Sequence, residues 1–230
     1  MSNTTDTALD GDGVSSGALA GIRVIDAGLL VQGPQAALTL SDLGAEVIKL
    51  ELPGMGDQAR WIPISADDPR CPYYEGCNRG KRSITLDLRV EAAGPVFRKL
   101  VEQTDVLITN FKPGTMEEWG FGYDELAEIN PGLVYACGSV FGPEGPSAAR
   151  EGADIAGQAA GGLISTTGVD GGDLTPVGAT IADHLASQHM VAGILAAIIA
   201  RGRTGRGQRV DTSLFGSQIY AQASEYTYYL

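Results

Sequence analysis

The chain predicts an α/β domain with a mainly parallel, Rossmann-like sheet and helices on both faces. Short apolar runs recur at residues 22–26, 46–51, 106–108 and 133–136, and stretches with helical spacing lie between them. No hairpin signal separates the apolar runs, so consecutive strands must be joined by crossovers. A polar residue closes or closely follows each run: Asp26, Glu51, Asn110 and Ser139. In a parallel sheet these positions fall at the carboxyl ends of the strands, where such folds bind ligands.

Taken in order, the first strand covers 22–26 and ends in Asp26. Pro34 suits a first helical turn, and Ala36, Leu38, Leu40 and Leu43 give 35–43 a helical apolar pattern. Val47, Ile48 and Leu50 make 46–51 a second strand, so about thirty residues form a right-handed parallel crossover. Residues 54–78 carry Pro63, Pro69 and Pro72 without a period and read as a long irregular excursion of the functional kind. An extended segment at 83–88, a helix at 92–102, a strand at 106–108, a short helix at 123–129 and a strand at 133–136 follow. Residues 186–200 are nearly all apolar and uncharged, which predicts a helix buried all round and too short to span a membrane. Gly202 with Arg201, Arg203 and Arg206 marks its end, and 208–214 returns as a strand.

Composition narrows the function. A length of 230 residues suits one good-sized core or two small domains, and a formal charge of −12 with no basic block argues against a nucleic-acid partner. Three cysteines without paired spacing and two histidines do not make a zinc site, and reduced thiols fit a cytoplasmic protein. Residues 1–19 are rich in Ser, Thr, Asp and Gly and read as a disordered tail with no apolar targeting segment. Within it, Asn3-Thr4-Thr5 lacks a secretion route, and Gly11-x-Gly13 precedes the first strand instead of following one.

Asp183 stands between a Gly-rich approach, 157–178, and the apolar helix. The ordinary reading of an Asp there is a helix cap. The alternative is a nucleophile, since a carboxylate near the reference pKa of about 4 is ionised at neutral pH and needs no base.

Val24-Ile25-Asp26, Gly33-Pro34, Leu43-Gly44-Ala45-Glu46-Val47-Ile48-Lys49, Asn110-Phe111-Lys112-Pro113-Gly114 and the Asp183 region together resemble the class III CoA-transferases. That family includes carnitine-dehydratase-like proteins and α-methylacyl-CoA racemases, and the likeness covers roughly residues 20–216. It implies a CoA-binding catalytic domain over 20–215, with 216–230 starting a linker helix toward a second domain absent from this chain. It implies Asp183 as nucleophile, coenzyme A carried by an acyl-CoA substrate, a carboxylic acid acceptor, and no metal. For CoA it implies Leu29, Val31 and Gln32 in the loop before Gly33-Pro34, Lys81 and Arg82 in the Asn78-Arg79-Gly80-Lys81-Arg82-Ser83 run, and Asn110, Phe111 and Lys112. Gly56-Asp57 and Arg60 match a family motif whose residue-level reading is a loop ion pair. Ser187 replaces a glycine common in relatives and is expected to alter how closely an acyl group approaches.

The racemase branch has a His in a Gly-His-Asp run because inverting an α-carbon takes two bases. This chain has Gly152-Ala153-Asp154 instead, which favours transfer over epimerisation. A CoA-binding subunit of a heteromeric transferase is the further alternative. The expected assembly is an interlocked homodimer, or a heteromer with a related subunit, with neither nucleic acid nor membrane as a partner.

Overall fold

The computed structural model describes residues 17–230. In chain order the elements are β1 (Arg23–Asp26), α1 (Gln32–Asp42), β2 (Glu46–Glu51), α2 (Pro72–Asn78), β3 (Arg82–Thr85), α3 (Gly94–Val101), β4 (Val106–Thr109), α4 (Thr115–Glu118), α5 (Tyr123–Ile129), β5 (Val134–Ser139), α6 (Asp154–Ala160), α7 (Ile181–Thr204), β6 (Arg209–Ser213), α8 (Leu214–Ala221) and α9 (Ala223–Tyr229). The six strands form one sheet in the order β3-β2-β1-β4-β5-β6, and every strand pairing is parallel. The order reverses between β1 and β4, which opens the crevice where doubly wound sheets take their ligands.

The period-2 pattern of the strands divides the interior into two cores. Val24, Val47, Val106, Ile108, Val134 and Ala136 point to the face covered by α1 and α7, where Ala36, Leu40, Met190 and Ile194 are buried. Ile25, Leu50, Leu107 and Tyr135 point the other way, onto Phe97 and Val101 of α3, Met116 of α4 and Leu126 of α5. Strands buried on both faces read as continuous apolar runs, which is why they were visible in the sequence.

Three expectations need correction. Residues 54–78 are not wholly irregular: they hold α2 and a 3-10 turn, Gln58–Trp61. Glu51 anchors them, accepting from Arg60 Nε at 2.8 Å and from Ser83 Oγ at 2.6 Å. Burial alone would raise the Glu51 pKa, but these donors outweigh it and hold the carboxyl down at about 2.

The second correction concerns α7, which has 24 residues and is buried along one face only. Ala182, Ala186, Met190, Ile194 and Ala197 are covered, whereas Ala192 and Ala196 are exposed and Ile199 is 65% exposed. By length and composition it is also long enough to cross a membrane. Its end is as expected, with Gly205 in the left-handed region at φ 71° and its N–H on Arg201 O.

The third concerns the tail, which lies outside the described residues together with Asn3-Thr4-Thr5 and Gly11-x-Gly13, except at its end. Leu19 belongs to the first core, and its N–H donates to Leu43 O at 2.9 Å.

Candidate functional site

The loop from β1 to α1 enters the crevice with its backbone fastened by side chains from four other segments. Asp26 Oδ1 accepts from Gly28 N at 2.9 Å, and Lys49 Nζ donates to Gly28 O. Asn110 Oδ1 accepts from Leu29 N at 2.7 Å, while its Nδ2 donates to Leu29 O at 2.9 Å. Asp57 Oδ1 accepts from Leu30 N at 3.0 Å. Leu30 sits at φ 60°, a conformation that costs a side-chain-bearing residue about 1–2 kcal/mol and persists only where surrounding contacts over-determine it.

Beneath the loop lies a buried ionic cluster. Lys49 Nζ is 2.7 Å from Asp57 and 3.5 Å from Asp26, Lys81 Nζ is 2.7 Å from Asp26, and all four side chains are at most 1% exposed. Burial pushes the Asp26 pKa up, yet Lys49 and Lys81 together hold it below its ordinary value. Asp57 therefore pairs inward with Lys49 and not, as the sequence suggested, with Arg60, whose partner is Glu51.

An open cleft runs along the carboxyl ends of β1 to β4, lined by Ala27, Leu29, Leu50, Leu52, Met55, Leu88, Arg89, Phe111 and Trp119. Leu29 and Phe111 both line this cleft, and Phe111 meets Trp119 edge to face at 5.3 Å. Asn110 reaches this neighbourhood as the clamp on Leu29. Lys112 is exposed on the far side of Phe111, lining a second hollow with Cys137 and Arg209, 3.8 Å from Glu151.

Four residues expected to contact CoA do not line this cleft. Lys81 is buried, and besides Asp26 its ammonium donates to Pro34 O and Asn78 Oδ1 at 2.8 Å, so its donors are spent inside the fold. Arg82 lies at the amino edge of the sheet, paired with Glu46 at the start of β2. Val31 is buried, and Gln32, 3% exposed, lies against Gly138 with its Nε2 3.5 Å from Ser139 O. The basic run looked like a phosphate loop because sequence spacing does not distinguish an inward Lys from an outward one.

Asp183 occupies the first turn of α7, half-buried, and it does not cap the helix. The N-cap is Thr180, which makes no side-chain cap bond. Asp154 of α6 does that work from another element: its Oδ1 accepts from Ala182 N at 2.7 Å and from Asp183 N at 3.0 Å. No hydrogen bond or ion pair engages the Asp183 carboxylate among the described residues. Burial, with the negative charge of Asp154 second, raises its pKa from 3.8 to about 7, which corrects the expectation of an ordinary carboxylate.

Ser187, one turn on, is fully buried, with its hydroxyl 2.7 Å from both Gln32 O and Asp183 O. It ties α7 to Gln32 at the start of α1 and exposes no atom at the surface. Ala153 stands at the N-cap position of α6, and His184 is exposed. Among the described residues no cluster of His, Cys, Asp or Glu is arranged for a metal ion.

Comparison with known proteins agrees with this architecture. The chain is 42% identical over 200 residues to an acetyl-CoA:oxalate CoA-transferase of Acetobacter aceti, covering 86% of this chain and 51% of that protein. It is 39% identical over 202 residues to a succinyl-CoA–L-malate CoA-transferase beta subunit of Chloroflexus aurantiacus, covering 86% and 49%. The chain thus spans about half the length of these curated relatives. A crystal structure of a CaiB/BaiF family protein from Brucella suis superposes with a TM-score of 0.84 at 38% identity, covering 92% of this chain and 57% of that one. The pattern defining CoA-transferase family III matches residues 19–230, and the chain belongs to that family.

Proposed function

We propose that the protein is a CoA-transferase that moves CoA from an acyl-CoA donor to a small carboxylic acid, with Asp183 as nucleophile. The observation that carries this is the carboxylate of Asp183 itself: it has no cap to form and no cation to neutralise, because Asp154 has taken the cap. The relatives named for oxalate and malate support a small dicarboxylate as acceptor. The cleft at the carboxyl edge suits CoA, with apolar walls at Leu29 and Leu50, an aromatic edge at Phe111 and, at Arg89, a guanidinium paired with Asp87 of the same wall.

In the proposed cycle an Asp183 carboxylate oxygen attacks the thioester carbonyl. The C–S bond breaks, CoA leaves as thiolate, and an aspartyl-acyl anhydride remains. The thiolate attacks the aspartyl carbonyl, releasing the donor acid as carboxylate and leaving an aspartyl-CoA thioester. The acceptor carboxylate repeats the first step on that thioester, and the thiolate then takes the acceptor's acyl group and restores Asp183. The first attack needs Asp183 ionised, whereas in the later steps its carboxyl is acylated or thioesterified, so entry into the cycle, and with it transfer, should rise with pH through about 7.

A second reading, a heteromer with a related subunit in place of an interlocked homodimer, draws support from the relative named as a beta subunit. Sedimentation of the protein alone and with candidate partners separates the two. The transferase reading is tested by screening acyl-CoA donors against oxalate, malate and other small acids. Transfer lost in Asp183→Asn is the expected result. Fast α-proton exchange without transfer would replace it with epimerisation.

A further inference from the structure

Asp154, which closes the Gly152-Ala153-Asp154 run, is 7% exposed and serves three partners. We propose that Asp154 is a positioning residue for Asp183, capping the first turn of α7 from α6 and standing a fixed negative charge beside a carboxylate that has no cation. The inference rests on the transferase reading for its functional meaning, but its physical content does not.

The geometry begins with the close approach of α6 to its neighbours. Asp154, Gly157 and Gln158 fall at i, i+3 and i+4 and share one face of α6. A Cβ on Gly157 would stand 3.0 Å from Ala182 Cβ and 2.7 Å from Leu214 Cβ, so only glycine lets α6 come this near α7 and α8. That proximity allows the short Asp154 side chain to reach Ala182 N and Asp183 N. Gln158, 2% exposed, braces the other carboxylate oxygen with Nε2 at 2.6 Å. The same amide fixes the approach to α7, accepting from Val177 N at 2.9 Å and donating to Ala179 O at 3.2 Å. Two buried polar side chains of one short helix therefore set four backbone positions between Val177 and Asp183.

The charged groups on the elements packed around α7 isolate Asp183 further. α8 carries none, α6 carries Asp154 alone, and the Asp42 of α1 is occupied by Arg79. Arg209 of β6 pairs with Asp211 and Glu117, and β5 offers only Tyr135 and Cys137, both pushed up by burial and neutral. On α7 itself the adjacent His184 is exposed. Asp154 is thus the charge that acts on Asp183, and it raises the proton affinity that burial has already increased.

The test uses Asp154→Asn, which keeps an acceptor oxygen for the two N–H groups but removes the charge, and Asp154→Ala, which removes both. Carbon-13 carboxyl NMR on the chain, with Asp183 assigned by Asp183→Asn, reads the protonation directly and requires no activity. In Asp154→Asn the Asp183 pKa should fall by about one unit, and the pH profile of transfer should move down with it. In Asp154→Ala the helix start is released, and transfer at its best pH should drop about a hundredfold. An Asp183 pKa unchanged in folded Asp154→Asn overturns the proposal, as does parental transfer in Asp154→Ala. If the pKa moves as stated and no transfer is found in any variant, the positioning role stands and the transferase reading fails.

Discussion

The β1–α1 loop and the first turn of α7 are both held by carboxylates reaching in from elsewhere, but the charge around them is opposite. Under the loop, Asp26 and Asp57 meet Lys49 and Lys81, and Asp26 is kept ionised below its ordinary pKa. At α7, Asp154 meets backbone N–H groups and a neutral Gln158, while Asp183 meets no cation among the described residues and burial pushes its pKa up to about 7. The first arrangement uses carboxylates as permanent anchors. The second leaves one carboxylate unengaged, which is the state a nucleophile requires. The contrast shows that burial of an Asp says little about its role until its partners are counted.

The largest effect that would break this comparison is on activity. Asp183→Asn should lose transfer by at least about a thousandfold with the fold intact, because the cap of α7 is supplied by Asp154. Activity assays paired with circular dichroism would show it. On the other side, Lys49→Met should strand Asp57 in the interior and cost about 3–5 kcal/mol in urea unfolding. A loss under 1 kcal/mol would mean the cluster is not the anchor described.

A smaller effect separates the two carboxylate environments by pH. The Asp183 pKa is raised on folding, from 3.8 to about 7, so its contribution to stability is fully present below pH 3.8 and is lost as pH rises through 7. Asp183→Asn, neutral throughout, should match the parent near pH 4 and exceed it at pH 8 by about 1–3 kcal/mol. Transfer by the parent should rise about tenfold between pH 6 and pH 8, following ionisation of one group.

The smallest effects concern CoA. Arg89→Ala should weaken CoA by less than about tenfold, since Arg89 lines the cleft with its guanidinium already paired to Asp87 at 2.8 Å. Arg82→Ala should change nothing in calorimetric titration, because Arg82 lies at the opposite edge of the sheet.

Much of the fold was legible because its strands are buried on both faces and its helices obey apolar spacing. Asp26, Glu51, Asn110 and Ser139 marked the carboxyl edge correctly, since a polar residue after an apolar run has few other places to be. What sequence could not give was direction. Lys81 and Arg82 are neighbours in one basic run, yet one points into the core and the other to the amino edge, as adjacent residues entering a strand must. The half-exposed face of α7 was hidden because an almost uniformly apolar helix has no periodicity to read. The roles of Asp154 and Gln158 were missed because α6 runs into the Gly-rich stretch that begins at Gly157 and reads as a turn. Their i, i+4 spacing around Gly157 was the available signal.

The central claim is that the carboxylate left free at the start of α7 is the one that reacts. Acyl-CoA donors incubated with the protein and quenched with hydroxylamine should convert an activated aspartyl carbonyl to a hydroxamate, which peptide mass mapping locates. The modification should appear at Asp183, dependent on the acyl-CoA and absent from Asp183→Asn. Transfer that proceeds with Asp183 unmodified, or with the hydroxamate on another residue, would contradict it.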